Sequence, residues 1–297
     1  MAELTMAQKA RRRNTNQRRW NKTKVWLFLL LMIAIGVILI FPYFYMVMKS
    51  LMSEAEVIDP TLKIFPSVPQ WSNYIRLFSE DSYFKATLNS LFVIVFNILA
   101  TCFSATLIAF SFAKLKWKGK NIMFALMMFT MMLPGVATQI PLFVMYTKFG
   151  WIDTLWPLTI PNLFGGGAAY IFLLRQYMMG IPHDMEDAAR VDGASPFRIY
   201  WNIILPNCKP ILIYICVTIF MTNWGDYYGP LVFMTSSDAP VTLAYLIFKK
   251  ATEEDGAAQL AAVRMAGGVF MTIFPALIFG IFQRQLTDGV LTAGKKG

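Results

Sequence analysis

Residues 25–48 read VWLFLLLMIAIGVILIFPYFYMVM, and no charged side chain interrupts this stretch. An α-helix of about 20 apolar residues is long enough to cross the hydrocarbon core of a bilayer. The stretch is longer than the apolar core of roughly 7 to 15 residues in a secretory signal peptide, and no small-residue cleavage site follows it. It therefore predicts a helix that stays in the membrane.

Charge-free runs of similar length recur along the rest of the chain. Apolar residues make up 57% of the sequence and charged residues only 15%, whereas soluble domains carry about 25% charged residues. Because lipid offers the backbone no hydrogen-bond partners, these runs are expected to be helical. The sequence predicts an all-α, polytopic membrane protein with six transmembrane helices, at about residues 25–48, 87–112, 122–146, 155–174, 211–234 and 265–283.

Basic residues are distributed unevenly between the predicted loops. With the N-terminus in the cytosol, most of the 27 Lys and Arg residues lie on the cytosolic side, and this bias sets the orientation of membrane proteins. The chain then divides into a cytosolic basic arm at 1–24, a transmembrane domain at 25–284 and a cytosolic tail at 285–297. We expect the arm to be flexible and to touch anionic membrane lipid, not nucleic acid.

Side chains suited to catalysis or metal binding are scarce. The cysteines Cys102, Cys208 and Cys216 are far apart in sequence and include no closely spaced pair, so we expect neither metal nor redox chemistry and interpret them as small packing residues. The single histidine, His183, falls in a predicted cytosolic segment, away from any membrane-embedded Ser/His pair. The sequence contains no Gly-x-x-x-x-Gly-Lys-Ser/Thr phosphate loop. It therefore predicts a chain without catalytic residues, without a metal site and without its own ATP site of this kind.

A cytosolic segment at 175–210 is longer than a turn between two spans requires, and its pattern predicts two short helices. In the first helix, Asp184 is expected to act as the N-cap, with Asp187 at the third helical position as in a capping box. One face of this helix then carries Met185, Ala188 and Ala189.

The second helix is predicted to follow a sharp turn at Gly193. Ser195 is expected to cap it, with Pro196 at its first position and Pro206 as its stop. Its apolar stripe consists of Phe197, Tyr200, Trp201 and Ile204. The two helices together form an amphipathic elbow, residues 184–206, whose apolar face needs either lipid headgroups or a groove on a partner protein.

The elbow carries a recognisable motif. Residues 186–193 read EDAARVDG. After nine intervening residues, residues 203–206 read IILP. This spacing resembles the EAA loop of binding-protein-dependent ABC-transporter permeases, with Asp187 where that family usually has Glu. In that family the loop is the coupling helix that docks into the ATP-binding subunit. The resemblance implies coupling roles for Glu186, Asp187, Ala188, Ala189, Gly193, Ile203, Leu205 and Pro206.

Two further segments narrow the resemblance. Residues 223–230 read NWGDYYGP, similar to a segment of carbohydrate-type permeases. Residues 50–57 and the ending GVLTAGKKG at 289–297 are similar to the shorter, maltose-permease G-type member of a permease pair. The resemblance implies one permease subunit of a sugar importer. A permease for another small solute, such as a polyol or glycerol phosphate, stays open, as does an ion-coupled carrier, although a carrier leaves the EAA-like loop unexplained.

The resemblance also implies an assembly. Its expected parts are a second, homologous permease in a heterodimer, two ATP-binding subunits, an extracytoplasmic solute-binding protein and membrane lipid. ATP and Mg are expected on the partner subunits, with no cofactor on this chain. The location implied is the cell (inner) membrane of a bacterium or archaeon, with several spans and both termini in the cytosol.

Asp226 is the one charged residue within a predicted span. Acidic groups at membrane depth are costly and usually face a cavity or a partner. Sugar hydroxyl groups donate to carboxylates, and sugar rings stack on aromatic side chains. The candidate pathway residues are therefore Asn223, Trp224, Asp226, Tyr227 and Tyr228. The alternative is that Asp226 makes an internal hydrogen bond that holds a broken helix.

Helix breakers also interrupt the third and fourth predicted spans. Pro134, Gly135 and Pro141 fall in the third span, and Pro157, Pro161 and the glycines at 165–167 fall in the fourth. Broken helices at membrane depth are tolerated where protein or a water-filled cavity satisfies the freed backbone groups. These two spans are therefore expected either to border a transport pathway or to pack closely through small residues.

Overall fold

A computed structural model describes the backbone of residues 2–79, 81–252 and 261–294, and side chains within 24–79, 82–252 and 261–283. Every regular element in these ranges is helical. In chain order the elements are α1 (Ala2–Ser50), α2 (Glu54–Ile58), α3 (Ser72–Ser79), α4 (Asp81–Lys114), α5 (Lys120–Thr130), α6 (Gly135–Lys148), α7 (Trp156–Thr159), a 3-10 turn (Ile160–Phe164), α8 (Ala168–Met179), α9 (Asp184–Val191), α10 (Pro196–Ile199), a π segment (Tyr200–Ile204), α11 (Leu205–Asn207), α12 (Lys209–Trp224), α13 (Tyr228–Phe233), α14 (Leu243–Thr252) and α15 (Ala261–Gly294).

Four helical stretches in the described residues are long and apolar enough to cross a bilayer: 24–50, 82–114, 156–179 and 261–283. The number of candidate spans rises to six only if each of two bent helix pairs counts as one span. One pair is α5 with α6, which meet at 97° around Pro134, whereas Pro141 lies inside α6. The chain is thus a multi-pass helical protein.

Helix α1 is longer than the predicted first span because it begins at Ala2. Residues 2–24, the predicted arm, have a helical backbone that continues into the first span. These residues include neither Gly nor Pro, and 11 of the 23 are Ala, Lys or Arg, which favour helix. The apolar part of α1 packs against α15 and otherwise exposes its side chains, as a lipid-facing helix does.

Helix α4 lies at the centre of the fold, where it packs against α8 and α12. Its polar side chains bond to backbone groups where neighbouring helices are broken or begin. These hydrogen bonds are Asn89 Nδ2 to Val241 O (2.9 Å), Leu243 N to Ser90 Oγ (2.9 Å), Asn97 Nδ2 to Leu158 O (2.9 Å) and Gly165 N to Ser104 Oγ (3.0 Å). Irregular backbone at membrane depth needs such partners. The polar face of α4 therefore stabilises the breaks around it.

The glycine turn before α8 fits closely against α4. Gly165, Gly166 and Gly167 all have positive φ angles, of 97°, 61° and 116°. A Cβ atom on Gly166 would lie 2.3 Å from Thr101 Oγ1 and 2.4 Å from Thr101 Cγ2. Both the backbone conformation and the close approach require glycine at position 166.

Two cysteines that are distant in sequence meet in space. Cys102 Sγ in α4 lies 3.5 Å from Cys216 Sγ in α12. Sequence spacing does not reveal this contact, because helix packing joins residues 114 positions apart in sequence. Cys208 is buried in the apolar core at the end of α11.

Asp153 joins the loop between α6 and α7 to the residues at and after the end of α13. It has a positive φ of 62°, and its backbone N–H donates to Phe233 O at 2.9 Å. Its carboxylate accepts hydrogen bonds from the backbone N–H groups of Thr235 (2.5 Å) and Ser236 (2.9 Å). Hydrogen bonds from Ser236, with further bonds from Thr235, hold the pKa of the Asp153 carboxyl below its ordinary value.

We expect replacement of Asp153 by Ala to lower thermal stability at neutral pH, with the difference from wild type shrinking in acid. Because the folded pKa is lowered, the stabilisation is present above the unfolded pKa of about 3.9 and is lost as pH falls through the folded value. Thermal unfolding of purified protein across this pH range measures the difference. Asp238→Ala, in the exposed loop that contains Thr235 and Ser236, is the control. A difference that stays constant down to the lowest pH would contradict the assignment.

Candidate functional site

The first helix of the elbow starts one residue earlier than predicted. His183 occupies the N-cap position and Asp184 is the first helical residue of α9, so the predicted side-chain cap by Asp184 is wrong. The backbone N–H groups of Glu186 and Asp187 donate to the carbonyl oxygen of His183, which begins the helix without a side-chain cap. The acidic residues then fall in the first turn, where the positive end of the helix dipole stabilises them.

The turn at the centre of the elbow is a Schellman motif. Gly193 has φ of 77°, its N–H donates to Arg190 O at 3.0 Å, and the N–H of Ala194 donates to Ala189 O at 2.9 Å. Ala189 and Ala194 both pack against the core formed by α4, α8 and α12. These two bonds and this contact close the end of α9. The predicted sharp turn is present, and a left-handed backbone at Gly193 produces it.

The second arm of the elbow begins as predicted. Ser195 Oγ accepts a hydrogen bond from the N–H of Arg198 at 3.3 Å, and Pro196 is the first helical residue. Pro206 does not stop the arm, because helix continues to Asn207 before the chain bends by 73° into α12. A π segment, Tyr200–Ile204, lies between α10 and α11.

The predicted apolar stripe of this arm is divided between two environments. Tyr200 and Ile204 are buried, and the Tyr200 hydroxyl bonds to Thr106 Oγ1 of α4 at 2.8 Å. Ile199 is buried as well, whereas four other apolar side chains of the elbow are exposed, with Val191 exposed to 88%. They are Met185, Val191, Phe197 and Trp201. The elbow is thus anchored to the bundle on one side and leaves apolar side chains free on the other.

The two adjacent acidic residues of the motif point to different surroundings. Asp187 is exposed and accepts a hydrogen bond from Arg190 Nη1 at 2.7 Å. Glu186 is buried, and its Oε1 lies 2.5 Å from the ammonium group of Lys114, the last residue of α4. Sequence reasoning missed Lys114 as the partner of Glu186. No local signal links positions 114 and 186.

The second candidate segment, residues 223–228, contains a break in the helical chain. α12 ends at Trp224 and α13 begins at Tyr228. Asp226 Oδ1 accepts hydrogen bonds from the N–H groups of Tyr228 and Gly229, both at 3.0 Å. The alternative considered for Asp226, an internal hydrogen bond at a broken helix, is therefore present. Its side chain remains partly exposed.

Trp224 does not line a pathway in this structure. Its side chain is buried, and its indole Nε1 donates to Met271 O at 2.8 Å. It packs in a stacked arrangement on Phe220 and also contacts Phe274. Trp224 is thus a packing residue between α12 and α15, and we correct its assignment. A sequence pattern does not distinguish a lining tryptophan from a buried one.

Asn223 also contributes to packing, whereas the two tyrosines are accessible. Asn223 Oδ1 accepts a hydrogen bond from Asn97 Nδ2 of α4 at 2.8 Å. Tyr227 stacks on Phe248 with ring centroids 4.6 Å apart. The hydroxyl of Tyr228 donates to Gln139 Oε1 of α6 at 2.8 Å. Gln139, which sequence reasoning missed, brings a polar group of α6 to this segment.

The site contains no arrangement suited to a metal ion. Within the described ranges, no group of three or more His, Cys, Asp and Glu side chains could hold one. The accessible groups near the helix break are instead hydroxyl, amide and aromatic groups together with one carboxylate. Such groups bind neutral polar molecules by hydrogen bonds and stacking.

Comparisons with known sequences support a transport role. Residues 105–291 match the model of the family described as "Binding-protein-dependent transport system inner membrane component". The arabinooligosaccharides transport system permease protein AraQ of Bacillus subtilis is 30% identical over 268 residues, which cover 88% of this chain and 92% of that protein. The galactooligosaccharides transport system permease protein GanQ of the same organism is 27% identical over 265 residues, covering 88% and 92%.

Solved structures share the fold. A chain from a bacterial ABC transporter involved in the import of the acidic polysaccharide alginate superposes with a TM-score of 0.72 at 22% identity, covering 87% of this chain and 94% of that one. A chain of the bacterial alginate ABC transporter in complex with an alginate pentasaccharide-bound periplasmic protein gives a TM-score of 0.63 at 17% identity, covering 89% and 96%.

Proposed function

Because the chain belongs to the family of binding-protein-dependent transport system inner membrane components, we propose that it is a permease subunit of an ATP-driven sugar importer. Members of this family are transport subunits and not enzymes. In this proposal the chain forms half of the translocation pathway and couples to ATP-binding subunits through the elbow.

The observation that carries the proposal is the exposed apolar side of the elbow. Isolated apolar side chains on a surface are ordinary, but this set lies on a structured hairpin tied to α4 by Glu186 and Tyr200. An amphipathic helix that presents an apolar face beside an exposed acidic residue fits a groove on a partner. Val191 is the proposed hydrophobic anchor and Asp187 the proposed polar contact.

The proposed partners are based on the missing phosphate loop and on the relatives of the chain. Its sequence contains no phosphate loop, so ATP and Mg are proposed to bind to two partner subunits. A second, homologous permease would complete the pathway, and an extracytoplasmic solute-binding protein would deliver the substrate. In the proposed orientation both termini and the elbow are cytosolic, because most Lys and Arg residues lie on that side.

The proposed substrate is an oligosaccharide, since relatives covering most of the chain are named as permeases for such sugars. The proposed contacts in this chain are Tyr227, Tyr228 and Asp226, with Gln139 added from α6. Aromatic rings offer flat faces for stacking, and the amide and carboxylate groups accept hydrogen bonds from sugar hydroxyls. The second permease would supply the facing contacts.

A cross-linking experiment tests the docking face. In a chain whose three cysteines are replaced by alanine, a photoactivatable maleimide on Val191→Cys should form a covalent adduct with the ATP-binding subunit. The same reagent on Leu62→Cys, which is 80% exposed and lies in the segment between α2 and α3, is the control and should form no such adduct. The proposal is wrong if the intact complex yields no ATPase adduct from position 191.

A further inference from the structure

We propose that Lys114 is a positioning residue for coupling, because its buried ion pair with Glu186 joins α9 to the end of α4. This inference rests on the proposed function. It assigns to α4 a part of the transmission between the elbow and the transmembrane helices. The family motif covers only the elbow, and Lys114 lies outside it.

The contacts of Lys114 cross three segments of the chain. Its Nζ lies 2.5 Å from Glu186 Oε1 in α9 and donates to Ile181 O at 2.9 Å in the linker that precedes α9. The side chains of Lys114 and Glu186 are each exposed to only 1%. One ammonium group therefore holds both the linker and the docking helix against the end of α4.

The helix termini favour the positions of both charges. Lys114 is the last residue of α4, where the negative end of the helix dipole attracts a cation. Glu186 lies in the first turn of α9, where the positive end attracts an anion. Because a buried charge without its partner is strongly destabilising, the two side chains are expected to move together.

Asp187, the acidic residue next to Glu186, lies at the surface and not in the interior. Asp187 is paired with Arg190 at the surface, where both side chains are more than half exposed, and the same guanidinium also reaches Glu186 Oε2 at 3.3 Å. Such exposed pairs are weak and exchange readily with water or a partner. The motif therefore has an inward-facing acid that anchors the elbow and an outward-facing acid that is available to the ATP-binding subunit.

A second contact also holds the elbow against α4. The Tyr200 hydroxyl in the other arm of the elbow bonds to Thr106 Oγ1, two turns before the end of α4. Further along, α4 bonds through Asn97 to the backbone of α7 and to the side chain of Asn223. A displacement of the elbow therefore acts directly on α4, whose side chains hold the helix breaks beside the candidate pathway.

A double-mutant cycle on the reconstituted complex tests this inference. We expect Lys114→Met to keep membrane insertion and ATPase co-purification but to lower substrate-stimulated ATP hydrolysis at saturating binding protein by about tenfold. The concentration of binding protein that gives half-maximal stimulation should stay unchanged. Glu186→Gln removes the same pair and also the 3.3 Å ion pair with Arg190, so its loss should be at least as large. The double variant should be no worse than Glu186→Gln alone, because Lys114 then has no carboxylate partner left to lose. Lys118→Met, an exposed lysine in the following turn, is the control.

Two results would overturn the inference. One is wild-type stimulation in Lys114→Met, and the other is additive losses in the double variant. If Lys114→Met fails to fold, a double variant with Lys114→Met and Glu186→Leu is used instead. It replaces the ion pair by apolar side chains, which preserve stability. This double variant should fold but should show little substrate-stimulated ATP hydrolysis. Wild-type stimulation of ATP hydrolysis in that double variant would also overturn the inference. If the wild-type chain does not co-purify with an ATPase at all, the proposed function fails instead.

Discussion

Replacing Gly193 by Val should leave the chain folded in the membrane but lower substrate-stimulated ATP hydrolysis by about tenfold or more. Gly193 has φ of 77°, a conformation that costs other L-residues roughly 1–2 kcal/mol and β-branched residues more. A Cβ at this position would meet no atom within 4 Å, so backbone strain alone produces the effect. Relief of the strain would break the two hydrogen bonds that close α9 and would change the angle between the arms of the elbow.

A graded series separates this mechanism from general instability. Asn tolerates the left-handed conformation, so Gly193→Asn should be mild, Gly193→Ala intermediate and Gly193→Val most severe. Gly150→Val is a matched control, because Gly150 also has a positive φ of 68° and open space but lies in the loop between α6 and α7. ATP hydrolysis in proteoliposomes is the measurement. Equal losses in Gly193→Val and Gly150→Val would show that the elbow has no special role.

Replacing Gly166 by Ala should destabilise the whole chain. The new Cβ would lie 2.3 Å from Thr101 Oγ1, 2.4 Å from Cγ2 and 2.9 Å from Cβ, at a φ of 61°. Overpacking of about 1–3 kcal/mol and left-handed strain of roughly 1–2 kcal/mol together predict a loss of about 2–5 kcal/mol. We expect a large fall in the thermal unfolding temperature in detergent and a similar fall in the amount of folded protein.

Neighbouring variants test the steric part of this prediction. Gly167→Ala has the strain of a φ of 116° but meets no atom within 4 Å, so it should cost less than Gly166→Ala. Adding Thr101→Ala to Gly166→Ala removes the two nearest atoms and should restore part of the lost stability. A Gly166→Ala protein as stable as Gly167→Ala would show that α4 does not pack against this turn as described.

The helices of this protein could be predicted because the hydrocarbon core imposes one dominant constraint. A charge-free run of about 20 residues in lipid has to satisfy its own backbone, so such runs located the four long apolar helices, whereas the third and fifth predicted spans are bent or broken. The Pro and Gly positions likewise indicated the breaks at Pro134 and at 165–167. Ser195 and Gly193 were identified because capping and left-handed turns depend on local chemistry.

Contacts between distant segments could not be predicted in the same way. The pairs Lys114–Glu186 and Cys102–Cys216 arise from the packing of helices, which no local pattern encodes. Trp224 was misassigned because an aromatic side chain beside an intramembrane acid has the same sequence pattern whether it is buried or lines a cavity. The start of α9 differs from the prediction by one residue because capping preferences favour Asp over His at the N-cap, whereas α9 begins after His183 without a side-chain cap.

ATP-dependent uptake by the purified assembly tests the central claim most directly. The tagged chain is isolated from membranes, its partners are identified by mass spectrometry, and the complex is reconstituted with its solute-binding protein and a labelled oligosaccharide. The account predicts a complex with a second permease and two ATP-binding subunits, and uptake that requires ATP and the binding protein. Uptake by this chain alone, or uptake driven by an ion gradient without ATP, would contradict it.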